Sequence, residues 1–433
     1  MSNTLPHGWF ATPLDDVVTA RKGKKPKTLH DNEAPGRVPY LLIDQMEGKP
    51  PRYFTDDQKV TVAGKDEVLV VWDGSIGKCA RGLEGAVGST IVALKPVGIE
   101  SRFLEAFIKH TRRTLLETSR GTGLQHINQE VFWKLPFPIA PIAEQRRIVA
   151  KLEKLMDQVE ACQQRLEKMP TLLKRFRQSI LAAACSGRLT ADWREKNLQS
   201  DAELVDGIES DDLPEGWCMS TVEKLAKIGS GQSSKLIISK CGTAGEIPWF
   251  KVSDMNLDGN EKFMRCSQNY LSRQDAENLG MKIYPAGTII FPKRGGAIAT
   301  NKKRILIQPS CIDANTMALT PHGCFGDYFW TWFTTMDLGI LADGSSVPQI
   351  NNPDIQPLEV PLPPLAEQQE IVRRVAGLFA LADQLEQRLA QARRQVAKLT
   401  PSLLARAFAG QLVPQNPKDE PASALLERIK VRS

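Results

Sequence analysis

The 433-residue sequence is poor in the residues that build metal and nucleophile sites. Its five histidines (7, 30, 110, 126 and 322) stand at no ligand spacing and form no HExxH pair. Its eight cysteines (79, 162, 185, 218, 241, 266, 311 and 324) include no CxxC pair, which excludes a zinc ribbon and reads as reduced thiols used for packing. No apolar run approaches the ~18 residues of a membrane-spanning helix. The first residues, MSNTLPHGWFATPLDD, have no apolar core and carry early acids, unlike a secretory signal. Nucleotide chemistry is equally unsupported. Gly74–Lys78 (GSIGK) has the wrong spacing for a phosphate loop, and Gly229-Ser230-Gly231 lacks a βαβ setting. Asn351-Asn352-Pro353-Asp354 is not an amino-methyltransferase motif, and no paired-carboxylate-plus-lysine nuclease site stands out. What remains is an ordinary soluble composition, 42% hydrophobic and 24% charged, with a net charge of only +6. These absences point to a recogniser with no chemistry of its own.

What the sequence does have is itself, twice. Leu5–Trp9 (LPHGW) recurs as Leu213–Trp217 (LPEGW), and Val38–Met46 recurs as Ile247–Met255. Ser89–Pro96 aligns with Ala314–Pro321. The offset then settles at 223: Gly121 pairs with Gly344, Ile139–Val149 (IAPIAEQRRIV) with Leu362–Val372 (LPPLAEQQEIV), and Gly187 with Gly410. A drifting offset marks segments whose loops tolerate insertions, and a constant one marks a segment locked in length.

The locked segment has a heptad period. Ile148, Leu152, Leu155, Val159, Cys162, Leu166, Met169, Leu173, Phe176 and Ile180 follow alternating steps of 4 and 3. Ile371, Val375, Leu378, Ala382, Leu385, Leu389, Ala392, Val396, Leu399 and Leu403 repeat those steps. Such a stripe calls for a partner helix, and the chain supplies both, so an antiparallel coiled-coil pair is expected. Cys162, aligned with Leu385, reads as a seam residue. Pro170 and Pro401 should kink each helix or start a second segment, and Gly187 and Gly410 should stop it. Forty-four residues from Glu144 to Gly187 make a rod of roughly 66 Å. This is a spacer, or else a scaffolding coiled coil without a ruler role.

The domains expected are a variable module over 1–140, a helical spacer over 141–190, an acidic linker over 191–212, a second module over 213–363, a second spacer over 364–413 and a tail over 414–433. Each module opens on an LPxGW strand signal. Short strands are expected at Val68–Trp72, Ser89–Leu94, Thr288–Phe291 and Asn315–Leu319, with helices at Phe103–Leu116 and Tyr328–Leu341. The class is α+β: two globular α/β modules separated by the helix pair, with an internal pseudo-two-fold repeat.

Charge locates candidate contacts. Residues 1–140 hold 19 basic and 16 acidic residues, and 213–363 hold 14 of each, so the basic excess in the modules is local. Lys22, Lys24, Lys25 and Lys27 form the densest cluster. Lys293 and Arg294, then Lys302, Lys303 and Arg304, flank a glycine-rich turn in the second module. Such side chains reach phosphates, while amides read base edges. The paired loops Gly121–Asn128 and Gly344–Asn351 offer Gln125, Asn128, Gln349 and Asn351 for DNA contact, or as structural turns capped by the two asparagines. His126 aligns with Gln349, which argues against proton transfer.

LPxGW at the head of each half, G[TS]xxxxIN, PLPPLAEQQEIV with its variant PFPIAPIAEQRRIV, and the segment ends Ser186–Leu189 and Ala409–Pro414 resemble the specificity (S) subunit of type I restriction-modification systems. So does the tail Asp419–Ile429. The resemblance covers essentially the whole chain. It implies a cytoplasmic bacterial or archaeal protein whose two target-recognition domains each read half of a split, asymmetric double-stranded DNA target. It implies no catalysis by this chain, docking of two methyltransferase (M) subunits and, in some assemblies, restriction (R) subunits. S-adenosylmethionine, ATP and Mg are then expected on those partners, and no cofactor or metal on this chain. A coiled-coil protein adaptor without sequence readout, and a self-sufficient nuclease or methyltransferase, are the alternatives.

Overall fold

The computed structural model describes residues 5–121, 123, 125–197, 213–343 and 347–432. The chain forms two compact units. One holds residues 1–167 and 389–433, and the other holds residues 168–388. The borders fall inside the two 44-residue helices, Ile142–Cys185 and Leu365–Phe408, so each unit owns one module and one half of each helix.

The LPxGW motifs are turns and not strands. Gly8 and Gly216 both have φ +81°, and Trp9 and Trp217 donate their amides to Pro6 and Pro214 at 3.1 and 3.0 Å. A type II turn needs a positive φ at its third residue, which glycine supplies. The strand starts one residue later. Phe10–Pro13 pairs antiparallel with Pro136–Ile139, and Cys218–Thr221 pairs with Glu359–Leu362. Phe10 faces Ile139 and Cys218 faces Leu362, so both pairings keep the sequence offsets of 208 and 223. Each module therefore leaves through a strand hydrogen-bonded to the one by which it began.

Between those strands the first unit builds two four-stranded sheets. One runs Val18–Lys22, Ile91–Pro96, Val68–Val71, Cys79–Arg81; the other runs Phe54–Thr55, Val38–Leu41, Gly85–Val87, Val62–Ala63. The second unit matches them with a five-stranded sheet, Ala226–Ser230, Thr316–Pro321, Ile289–Pro292, Arg304–Leu306, Phe263–Met264, and a three-stranded one centred on Ile247–Phe250. Val18 faces Pro96 as Ala226 faces Pro321, and Tyr40 faces Ala86 as Trp249 faces Cys311. The helix Ser101–Glu117 buries Phe103, Leu104, Phe107 and Ile108. Its counterpart is shorter. The apolar run expected over Tyr328–Leu341 breaks into Gly326–Thr335 and Leu338–Leu341, because the Asp337 side chain accepts the Gly339 amide at 2.9 Å and caps a new helix.

The long helices are antiparallel within each unit. In the first, Ile148 and Leu152 share a core with Leu404, Ala407 and Phe408, whose ring lies 5.0 Å from Phe103. In the second, Ile180, Leu181 and Ala184 share a core with Ile371 and Val375. Ile148, Leu152, Val159, Ile371, Val375 and Leu389 are buried, and Leu155, Leu166, Leu378 and Leu385 are half-buried. Cys162 is exposed, as are Phe176 and Leu399, contrary to a seam role. Two helices bury only a narrow stripe, and these side chains stand outside it.

Neither proline divides its helix. Pro170 cannot donate to the carbonyl of Leu166, four residues back. Arg393 Nη2 of the other long helix occupies that carbonyl at 2.9 Å. Gly187 (φ +71°) and Gly410 (φ +68°) follow the helix ends, as expected of left-handed caps. The linker expected over 191–212 begins as a helix, Ala191–Asn197, fastened by Arg194 and Asp192; the remainder, 198–212, lies outside the described residues. The tail is likewise built in. Its helix Ala422–Arg432 buries Ala422, Leu426 and Ile429 in the first unit's core.

One paired device joins module to helix. Trp9 Nε1 donates to Glu144 Oε2 at 3.1 Å, and Trp217 Nε1 to Glu367 Oε2 at 2.9 Å. Gln145 Oε1 accepts the Glu100 amide at the start of Ser101–Glu117, and Gln368 Oε1 accepts the Phe325 amide at the start of Gly326–Thr335, at 3.0 and 2.8 Å. Glu367 is also held by Thr190 Oγ1 at 2.6 Å and Arg194 Nη2 at 2.8 Å. Breaking a buried pair strands its charge. Arg194→Ala should therefore cost the second unit about 3 kcal/mol, read as a lower denaturation midpoint with an unchanged denaturant slope.

Candidate nucleic-acid interface

In the first unit, strand Val18–Lys22 ends where the chain dives under its neighbour. The Gly23 amide donates to Ile91 O at 2.9 Å and the Lys24 amide to Val87 O at 3.2 Å. A Cβ at Gly23 would lie 2.1 Å from Gly88 O, so no other residue fits. Beyond it Lys24, Lys25 and Lys27 are exposed. Lys22 Nζ lies 3.5 Å from Asp73 Oδ2, and His126 Nδ1 lies 2.7 Å from Asp73 Oδ1. The Gly74 amide donates to Gln125 O at 2.8 Å and the Ile127 amide to Trp72 O at 3.0 Å. A strand end, a hairpin turn and the Gly121–Asn128 loop thus meet at one junction, with buried Ile127 as its anchor.

The second unit repeats the junction bond for bond. Gly231 and Gln232 donate to Thr316 O and Ile312 O, and a Cβ at Gly231 would lie 2.1 Å from Ile312 O. The Gly295 amide donates to Pro348 O at 2.8 Å and the Ile350 amide to Lys293 O at 2.8 Å. Arg294 bridges to Gln349 as Asp73 bridges to His126. The backbone is kept and the side chains change: Lys22, Asp73 and His126 in one module, Ser230, Arg294 and Gln349 in the other. Lys293 Nζ donates to Ser230 Oγ at 3.1 Å, and Gln349 Nε2 to Asn351 Oδ1 at 2.8 Å.

The junctions gather Lys22, Gln125 and Asn128 in one module and Lys293, Arg294, Gln349 and Asn351 in the other. They do not gather the whole basic run at 302–304. Lys303 is buried, its Nζ donating to Asn301 Oδ1 at 2.8 Å and Met336 O at 2.7 Å. Burial pushes its ammonium down to about 8, against a small opposing pull from Asp337. Arg304 is half-buried and spends its guanidinium on the carbonyls of Lys303 and Met255. Lys303 is corrected from a contact residue to an internal tie, since its ammonium is buried and turned to Asn301 and Met336. Arg304 is tied inward through both Nη atoms, while its buried Nε has no hydrogen-bond partner. Lys302 is half-buried and pairs with Asn256. Asn128 and Asn351 both precede short helices, and Asn351 gives its amide to Asp354 Oδ2 at 2.7 Å. In the paired loops, Thr122, Leu124, Gly344, Ser345 and Ser346 lie outside the described residues. Among the described residues no group of His, Cys, Asp and Glu is placed to hold a metal ion, and no helix is long and apolar enough to cross a membrane. Reading the sequence missed Asp73 and Ser230, the partners of the cations, because each becomes a neighbour only through the sheet.

Residues 6–170 and 214–392 each match the family model described as the type I restriction modification DNA specificity domain. The chain belongs to the type I restriction-modification specificity family. Among relatives of this specificity chain, the type I restriction enzyme EcoKI specificity subunit of Escherichia coli K12 is 29% identical over 98% of this chain and 96% of its own. The StySPI specificity subunit of Salmonella potsdam is 28% identical with the same coverage of each. The fold is shared with the HsdS subunit of Thermoanaerobacter tengcongensis, at a TM-score of 0.60 and 19% identity over 94% of this chain and 98% of that one. It is shared also with a chain from a study of assembly and conformational transition in the type I R-M system, at a TM-score of 0.70 and 19% identity over 94% and 99%.

Lys303 gives the pH test of its internal role. Its ammonium is less favoured folded than unfolded, so between about 8 and 10.5 the unfolded chain holds more protons. Stability of the second unit should rise with pH across that window and be lost as pH falls through about 8. Denaturation midpoints of Lys303→Met, plotted against pH, should lack that rise.

Proposed function

We propose that this chain reads a bipartite, asymmetric DNA target on behalf of a type I restriction-modification assembly, one half-site per module. The observation that carries the reading is the duplicated junction: one backbone scaffold, presented twice within two DNA specificity domains, with different side chains on each copy. Two copies of one reader would demand a symmetric target; two readers on one scaffold demand an asymmetric one. Exposed Lys22, Lys24, Lys25 and Lys27 in the first module, and Lys293 and Arg294 in the second, supply phosphate contacts that fix position. Gln125 and Gln349 supply base-edge contacts.

In this reading the paired long helices set the distance between half-sites and dock two methyltransferase subunits and, where present, restriction subunits. Adenine methylation with S-adenosylmethionine, and ATP- and Mg-dependent translocation and cleavage, belong to those partners. This chain supplies address and spacing, which agrees with a sequence that offers no phosphate loop and no methyltransferase motif.

Two measurements test it. Replacing Lys24, Lys25 and Lys27 together by Ala should weaken binding of the assembled complex and reduce the slope of log affinity against log salt by about one for each phosphate no longer neutralised. An unchanged slope would remove this loop from the interface. Deleting one heptad from each long helix shortens each by about 10 Å, or roughly three base-pair steps. Methylation mapping should then return the same half-sites about three base pairs closer; an unchanged gap would contradict the ruler role.

A further inference from the structure

The strand exits that follow Gly23 and Gly231 leave equivalent places and carry unlike chemistry. No acid occurs from Val18 to Leu29, or from Ala226 to Gly245, although the second module holds 14 acids overall. The first exit presents exposed lysines. The second folds into the short helix Lys235–Lys240, whose start is fixed by Ser234 Oγ accepting the Ile237 amide at 3.1 Å. Ile237 is the buried anchor, packed in a core with Ile247, Trp249 and Leu271. That anchoring turns Leu236 and Ile238 outward, at 59% and 54% exposure, between Lys235 and Lys240. Two aliphatic side chains held in water by a buried anchor, with Lys235 at one end of the helix and Lys240, whose Nζ lies 3.8 Å from Asp275 Oδ1, at the other, form an apolar tip bordered by two cations.

We infer that Leu236 and Ile238 are specificity determinants of the second module, contacting thymine methyl groups in the major groove while Lys235 and Lys240 meet the flanking phosphates. This rests on the DNA-recognition reading above and extends it to a class of base contact. The occupant is duplex DNA because the tip sits on the exit that in the first module is a lysine loop, on an acid-free segment. The thymine methyl is the apolar group that the major groove displays, and a helix fits that groove. The first exit has Lys24, Lys25 and Lys27 and a single exposed large aliphatic residue, Leu29 at 41%, in place of this pair, so the two half-sites should differ in their dependence on thymine methyl contact.

The full chain, co-expressed with its methyltransferase partner, provides the test. Methylation motifs are mapped for the natural chain, for Leu236→Gln/Ile238→Gln and for the conservative Leu236→Met/Ile238→Val. The glutamine variant should keep one half-site and the gap while its preference at an A·T pair of the other half-site falls about tenfold or more; the conservative variant should keep the whole motif. In the purified complex, replacing that thymine by deoxyuridine, which lacks the methyl group, should weaken binding of the natural chain several-fold and leave the glutamine variant unaffected. An unchanged motif in the glutamine variant, or an equal deoxyuridine effect in both, overturns the inference. Loss of methylation at every site by a glutamine variant with an unchanged melting temperature also overturns it, since the tip would then dock a protein. A natural chain that yields no bipartite motif sinks the DNA-recognition reading itself, a result distinguishable from each of these.

Discussion

A buried carboxylate at the head of each long helix, bound by the indole of a turn more than a hundred residues away, is the constraint that the fold depends on. Glu144 and Glu367 sit in the first turns of their helices, where backbone amides lack partners and negative charge is favoured. Trp9 and Trp217 bring the start of each module to that point, and Gln145 and Gln368 bring the start of each module's own helix. Two bonds thus place module on helix in each unit, and the paired strands beside them close the module. The two sites differ in satisfaction. Glu367 has Thr190, Arg194 and Trp217 around it, whereas Glu144 Oε1 is buried with no hydrogen-bond partner. Burial accordingly pushes the Glu144 carboxyl up, with the Trp9 bond and the Arg147 charge opposing.

The repeat, the helix pair and the mixed sheets were legible in the sequence because they rest on period and offset. Registers follow the offsets residue for residue, since a one-residue slip would turn every buried side chain outward. What was illegible depends on tertiary placement. LPxGW looks strand-like by composition, yet a positive φ at Gly8 makes it a turn. Cys162 fits the heptad yet faces water. A run of three cations at 302–304 looks uniform on paper, but alternating geometry sends Lys303 inward to Asn301 and Met336. Helix Ala191–Asn197 was hidden by the acidic composition of its neighbourhood, and its reason for ordering is Arg194 reaching Glu367.

Variation in this molecule is confined to what the scaffold does not need. Gly23 and Gly231, Ile127 and Ile350, Asn128 and Asn351, and the amides around them repeat in both units, while Lys22, Asp73 and His126 of one junction are replaced by Ser230, Arg294 and Gln349 in the other. The acid-free exits obey the same division: the glycine that permits the exit is fixed, and the segment after it is a lysine loop in one module and an aliphatic tip in the other.

The arginine that fills the gap left by Pro170 has a consequence for the helix pair. A stripe of aliphatic residues repeating every seven positions is nearly indifferent to sliding by a heptad, because each step presents a similar surface. The Leu166 carbonyl is not repeated. It is vacant because a proline stands four residues later, and Arg393 fills it. Arg177 adds a second such key with Asp383 and Glu386. Sliding by a heptad would leave the aliphatic stripe matched but break both contacts, so each one pins the axial alignment of the helix segments that it joins.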